Sequence, residues 1–222
     1  GGVFNPDYTG TFIFENDFAA LLPHPEPESE PASDSPLLVS RSEQGQCFVV
    51  CFSPRHDLTL PELDQAAVEA VLATWTQASA ELEAQDFIRY VQVFENKGAM
   101  MGCSNPHPHS QIWAQSIPPN EIARELATQT AYFNQHGRPL LLDYIREEQK
   151  RKERVLFAND HFTAVVPFWA VWPFEVLVTA HRATQALRDL TSVEVSALAE
   201  IMQQVTRSEE CRVGKECRSR WS

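Results

Sequence analysis

Residues 105–113 read Asn-Pro-His-Pro-His-Ser-Gln-Ile-Trp, and this stretch restricts the backbone more than any other. Pro106 and Pro108 remove amide donors and disfavour a preceding helical turn, so extended chain is expected here. Side chains alternate along an extended chain. His107, His109 and Gln111 are therefore expected on one face of one strand. Two imidazoles and a carboxamide in a row supply a nucleophile or metal ligand, a neighbour to orient it, and a neutral hydrogen-bond donor. That set suits chemistry on a phosphate.

The chain has 222 residues, 43% of them hydrophobic, enough for one large domain or two small ones with a core. No apolar run approaches the roughly 20 residues of a membrane-spanning helix. The net charge is −12. So acidic a chain is a poor general binder of nucleic acid, and a phosphate ligand has to be met by a local site. Five cysteines are an odd number without disulfide-like spacing, which points to a reducing, cytoplasmic compartment. No signal peptide opens the chain, and Gly1-Gly2 reads as the start of a fragment.

Upstream, Asn5-Pro6-Asp7 and Thr9-Gly10 are turn residues ahead of an apolar run, Thr11-Phe12-Ile13-Phe14, expected as a strand. Asn16-Asp17 then either turns the chain or binds something. Residues 23–36 are rich in Pro, Glu, Ser and Asp and predict an exposed loop, flexible over 20–37. Residues 46–53 read as a buried strand in which Cys47 and Cys51 share a face and pack in the core. Thr59 and Glu62 carry the capping-box pattern, predicting a helix over 60–84 with Leu63, Ala67, Val71, Trp75, Ala78 and Leu82 as its apolar stripe. After a strand over 88–94, Asn96, Lys97, Gly98, Gly102 and Ser104 lead into the central stretch. Glycines there let backbone N–H groups approach a phosphate, although ordinary hairpins share that composition.

Downstream, Asn120 caps a helix over 121–135 that Gly137 stops, and Pro139 opens another to about residue 152. Strands are expected at 155–157, 162–167 and 175–179, and Thr191 with Glu194 forms a second capping box. A strand, a histidine-bearing loop and a capped helix thus occur twice, with His56 and then His181. The expected fold is α+β: two related lobes, antiparallel sheet flanked by helices, the second lobe incomplete. The first lobe spans 1–118, connecting helices 119–153, and the start of the second lobe 154–206. Residues 207–222 are basic and lack an apolar period. They are expected to be a non-native or disordered tail, and Cys211 and Cys217 do not have zinc-knuckle spacing.

A neutral imidazole attacks phosphorus well near neutral pH, and the phosphoimidazole passes the group on. A metal site is the rival use of the histidines, with His56 as a further ligand. Phe94-Glu95-Asn96-Lys97-Gly98, Gly102-Cys103-Ser104-Asn105-Pro106-His107-Pro108-His109 and Gln111-Ile112-Trp113 closely resemble the galactose-1-phosphate uridylyltransferases, a branch of the histidine-triad superfamily. So do Asn5-Pro6-Asp7-Tyr8, Phe14-Glu15-Asn16-Asp17-Phe18, Val166-Pro167-Phe168-Trp169-Ala170 and Trp172-Pro173-Phe174. The likeness runs from about Phe4 to Thr206. Other histidine-triad hydrolases carry a third His where this chain has Gln111.

The resemblance implies tandem histidine-triad-like lobes and a ping-pong reaction. His109 attacks UDP-glucose and passes UMP to galactose 1-phosphate, giving UDP-galactose, while Gln111 donates to the phosphoryl oxygens. It also implies that Phe14, Asn16 and Asp17 hold the uridine. Asn96, Gly102, Cys103 and Ser104 sit at the ribose and phosphates. Zinc is implied at His56 and His107 with a further ligand pair upstream of residue 1, and a second, iron-type site at Glu125 whose partners lie elsewhere. A homodimer is implied, with the active site completed by the second subunit, so that this chain alone lacks full activity. The alternatives are a nucleotidyl hydrolase or phosphorylase of the same superfamily, or a nucleotide- or metal-binding module without turnover.

Overall fold

The computed structural model of the chain describes residues 6–24, 35, 37–38, 41–103 and 105–213. Two compact units divide it: residues 1–57 with 73–120, and residues 58–72 with 121–222. The segment 58–72 thus groups with the second unit, whereas the sequence pattern had kept 1–118 together.

The first unit is an antiparallel four-stranded sheet. Its strands are β1 (Phe12–Glu15), β2 (Gly45–Cys51), β3 (Tyr90–Phe94) and β4 (His109–Gln115), in the order β1-β2-β4-β3. The central stretch therefore supplies an inner strand, paired on both edges. Its alternation is clean: Ser110, Ile112 and Ala114 are buried, and His109, Gln111, Trp113 and Gln115 are half-buried on the opposite face. Helix α1 (Gln65–Glu83) covers the buried face through its later turns. There Trp75 Nε1–H donates to Ser110 Oγ at 2.8 Å, and the Phe52 ring meets Trp75 edge-on at 6.2 Å. Trp75, Ala78 and Leu82 are core residues, as the apolar stripe predicts.

The start of α1 differs from expectation. Thr59 and Glu62 do form a capping box, with Thr59 N–H donating to Glu62 Oε2 at 2.8 Å, but it closes a 3-10 turn over Leu60–Glu62. Leu63 is extended (φ −64°, ψ 152°) and breaks the run. Asp64 then caps α1, its Oδ1 accepting Ala67 N–H at 2.8 Å.

The second unit holds α2 (Asn120–His136), α3 (Leu140–Arg151), β5 (Val155–Ala158), β6 (Phe162–Val165), β7 (Leu177–Ala180) and α4 (Ser192–Val213). Its three strands are antiparallel in the order β5-β6-β7, with β6 buried throughout. Ile201 and Val205 of α4 pack on Phe162 and Ala164. The capping box at its start is real: Glu194 Oε2 accepts Thr191 N–H at 2.8 Å, and Thr191 Oγ1 accepts Glu194 N–H at 3.3 Å. Gly137 ends α2 with φ +66°, its N–H reaching Phe133 O at 2.7 Å.

Helix α4 continues to Val213, so residues 207–213 are helical, against the expectation of a disordered tail from residue 207. Residues 25–34 and 36 of the expected loop, and residues 214–222 with Cys217, lie outside the described residues. Among the described residues no helix is long and apolar enough to cross a membrane.

Candidate active site

Strand β4 starts at His109, one step later than the alternation assumed. His109 and Gln111 share the half-open face of the sheet. His107 precedes the strand in a bend, is buried to 9% exposure, and turns to other partners. The expectation of three residues on one strand face thus holds for two.

The bend has a chemical consequence for His109. Its Nδ1 lies 2.6 Å from the main-chain oxygen of His107. A carbonyl only accepts, so Nδ1 carries the proton, and in the neutral ring the lone pair is on Nε2. The bend is itself held by Asn105, whose Oδ1 accepts His107 N–H at 3.0 Å.

Around this nitrogen the sheet register assembles the rest. Phe14, Val49, Gln111 and Phe94 form one cross-strand row, and Phe12, Cys51 and His109 the next. Phe14 is thus two strands from Gln111, about 10 Å at normal strand spacing. Tyr8, Phe12 and Phe14 stack in series, with centroids 5.0 and 5.4 Å apart. This aromatic ladder ends on the same face as the nucleophile candidate, as a flat base beside a reacting phosphate requires. Asn16 and Asp17 follow β1 directly. Asn16 N–H donates to Cys47 O at 2.8 Å and its Oδ1 accepts Phe18 N–H at 3.0 Å, so its side chain makes the local turn; Asp17 is exposed.

The loop before β4 is built on glycines. Gly98 (φ 86°, ψ 155°) lies in a region open essentially to glycine, and Gly102 has φ +82°. Gly98 O accepts Met101 N–H at 3.0 Å and Cys103 N–H at 3.3 Å, closing the loop on itself. Asn96 and Gly102 are exposed and Cys103 is half-buried. Ser104 lies outside the described residues.

His56 and His107 face each other with their Nδ1 atoms 2.7 Å apart, and Tyr8 OH lies 3.3 Å from His107 Nε2. Burial, then the neighbouring His56 charge, pushes the His107 imidazole below its ordinary pKa. A neutral ring is what a metal ligand must be, and Tyr8 suits the partner that orients its far nitrogen. The pair fits half of a four-ligand zinc site. Among the described residues no group of three or more His, Cys, Asp or Glu gathers for a metal.

Glu125 lies elsewhere, on α2, lining a cavity of about 510 Å³ in the second unit with Arg124, Leu141, Trp169 and Glu175 among others. Among the described residues no histidine lines that cavity, so they do not fit an iron-type site by themselves.

Three participants escaped the sequence reading: Tyr8, Cys51 and Trp113. Tyr8 stands out in the sequence only as the end of the family-like segment Asn5-Pro6-Asp7-Tyr8. Cys51 is buried, as expected, but on the His109 side of the sheet, beside Tyr8; burial pushes its thiol up. Trp113 enters the sequence pattern as the end of the family-like Gln111-Ile112-Trp113, with no role attached, and its Nε1–H donates to Gln111 Oε1 at 3.1 Å.

The sheet thus presents an oriented imidazole, a carboxamide and an aromatic ladder on one face. The family model for the galactose-1-phosphate uridyl transferase N-terminal domain matches residues 1–119, and that for the C-terminal domain matches residues 125–212. The chain belongs to the galactose-1-phosphate uridyl transferase family. It is 47% identical over 204 residues to the galactose-1-phosphate uridylyltransferase of Rattus norvegicus, covering 92% of this chain and 53% of the rat protein. For the Haemophilus influenzae enzyme the figures are 45% over 205 residues, 92% and 58%. Among solved structures, a uridylyltransferase superposes with a TM-score of 0.79 at 30% identity, covering 87% of this chain and 61% of that one. An ADP-glucose phosphorylase from Arabidopsis thaliana does so at 0.75 and 25%, covering 92% and 62%. The chain thus spans between half and two-thirds of the length of these relatives.

Proposed function

We propose that the protein carrying this chain is a uridylyltransferase of galactose metabolism, exchanging UMP between UDP-glucose and galactose 1-phosphate. The observation that carries this reading is the His109 Nδ1 bond to the His107 carbonyl, which leaves Nε2 with its lone pair on the open sheet face. Family membership supplies the substrates.

In the first half-reaction the Nε2 lone pair of His109 attacks the α-phosphorus. The bond from that phosphorus to the bridging oxygen breaks, and glucose 1-phosphate leaves with the electron pair. The adduct ring is cationic, and the His107 carbonyl stabilises it through the Nδ1 proton. Gln111 donates to the non-bridging oxygens. Being neutral, it stabilises their charge without offering an acid to a poorer leaving group, which favours transfer over hydrolysis. In the second half-reaction a phosphate oxygen of galactose 1-phosphate attacks the phosphorus and frees the imidazole, giving UDP-galactose. The Phe12–Phe14 ladder takes the uracil, with Asn16 and Asp17 toward the ribose. Asn96, Gly102, Cys103 and Ser104 border the phosphates.

His56 and His107 are proposed as two ligands of a structural zinc ion, which would fix the bend that carries the His107 carbonyl. Glu125 is proposed as one ligand of a second metal whose other ligands this chain does not supply. A homodimer in the cytoplasm, its active site completed by the second subunit, belongs to the same reading, and this chain alone is expected to lack full turnover.

A phosphorylase is the second reading, supported by the likeness to ADP-glucose phosphorylase; it shares the first half-reaction and differs in the acceptor. The test is to expose the full-length protein to UDP-glucose, quench in alkali and map the adduct. A uridylyl group on His109, absent in His109→Ala and discharged by galactose 1-phosphate, is expected. Discharge by inorganic phosphate alone supports the second reading, and no adduct on His109 refutes both.

A further inference from the structure

A carboxamide has two ends of similar size and opposite character, an acceptor oxygen and a donor NH2. For Gln111 the difference decides its chemistry. Its oxygen turned toward a phosphate would repel the anionic oxygens; its NH2 would stabilise them. Strand pairing does not choose between the two, because both orientations fill the same space.

Trp113 does choose. An indole N–H has a hydrogen to give and no lone pair to receive one. The atom of Gln111 that meets Trp113 Nε1 at 3.1 Å is therefore the oxygen. Trp113 is two residues on, along the same face of β4. Its ring is braced by Phe94, which meets it edge-on at 5.5 Å and 80° and is itself the register partner of Gln111 on β3. With Oε1 turned along the strand toward Trp113, the NH2 group is left for the other side. There, roughly 7 Å back at the strand's rise, lies His109.

We propose that Trp113 is a positioning residue for nucleotidyl transfer: its indole N–H fixes the Gln111 amide with the NH2 end toward the phosphoryl group that His109 attacks. The proposal rests on the uridylyl-transfer reading above. Trp113 acts through Gln111 and not on the substrate. Without the indole hydrogen the amide turns freely, and the repulsive orientation becomes populated.

The experiment is a double-mutant comparison on the full-length protein, reading the single-turnover rate of uridylyl-enzyme formation and the Kd for UDP-glucose. Trp113→Phe is expected to slow adduct formation about five- to tenfold, the worth of one oriented hydrogen bond, with Kd changed less than about twofold. In a Gln111→Ala background the same substitution should cost nothing further, because the group it orients is gone. Replacing Trp113 with benzothienylalanine keeps the bicyclic shape and deletes only the N–H, and should reproduce the loss even if Trp113→Phe fails to fold. A wild-type rate in the benzothienylalanine protein, or a loss that adds in full to that of Gln111→Ala, overturns the proposal. If Gln111→Ala itself reacts at the wild-type rate, what fails is the role of Gln111 in transfer, and the positioning role falls with it.

Discussion

Ser110 lies between His109 and Gln111 and points the other way, into the core. Its Oγ accepts the Trp75 indole N–H at 2.8 Å; Ser110 is fully buried and Trp75 is 9% exposed. Ser110→Ala leaves that N–H among apolar atoms such as the Phe52 ring. An orphaned buried donor costs about 1–3 kcal/mol. Relief from burying the hydroxyl offsets part of this, so about 2 kcal/mol is expected. At an m-value of roughly 2 kcal/mol/M, typical for urea, the unfolding midpoint drops by about 1 M. Trp75→Phe alone loses ring volume and costs about 1–3 kcal/mol. The double variant should cost about 1–2 kcal/mol less than the two singles summed, since no indole remains to be left unsatisfied. Urea unfolding followed by far-ultraviolet circular dichroism measures all four proteins. A Ser110→Ala midpoint within about 0.2 M of the parent, or strict additivity in the cycle, refutes the reasoning.

Glu194 offers a pH test. The Arg182 guanidinium, then the backbone N–H and hydroxyl of Thr191, hold its carboxyl at about 2 against an ordinary 4.5. The folded value is the lower one, so its stabilisation is fully present above about pH 4.5 and is lost as pH falls toward 2. Melting temperatures taken from pH 6 to 2.5 should fall less steeply in Glu194→Gln than in the parent; equal slopes contradict the assignment. Gly98→Ala forces a side chain into a glycine-only conformation and should cost about 1–3 kcal/mol while weakening UDP-glucose binding, readable by calorimetry. His56→Ala should lower the zinc content of the full-length purified protein, measured by elemental analysis; unchanged stoichiometry would remove His56 from the ligand set.

Much of this site was legible in the letters. Proline placement and period-2 alternation located β4, and Ser110, Ile112 and Ala114 are buried as that period demands. The capping box at Thr59 was legible as a local bond and misleading as a helix start, because the same four residues close a 3-10 turn equally well. Only the extended Leu63 decides between them, and its conformation depends on packing. The face of Cys51 and the reach of Tyr8 to His107 depend on pairing between strands far apart in sequence. The rotation of the Gln111 amide has no trace in the order of residues at all, since it is set by a side-chain torsion.

One residue, His107, does two jobs, one with its side chain and one with its backbone. Its ring is moored sideways to His56 and Tyr8, while its oxygen steers the neighbouring imidazole. Damage to the mooring is therefore expected to register as a tilted His109 ring two residues away, with His109 itself unchanged. Variants at residue 56 and at residue 107 both loosen the anchor, and both keep the main-chain oxygen that meets His109 Nδ1.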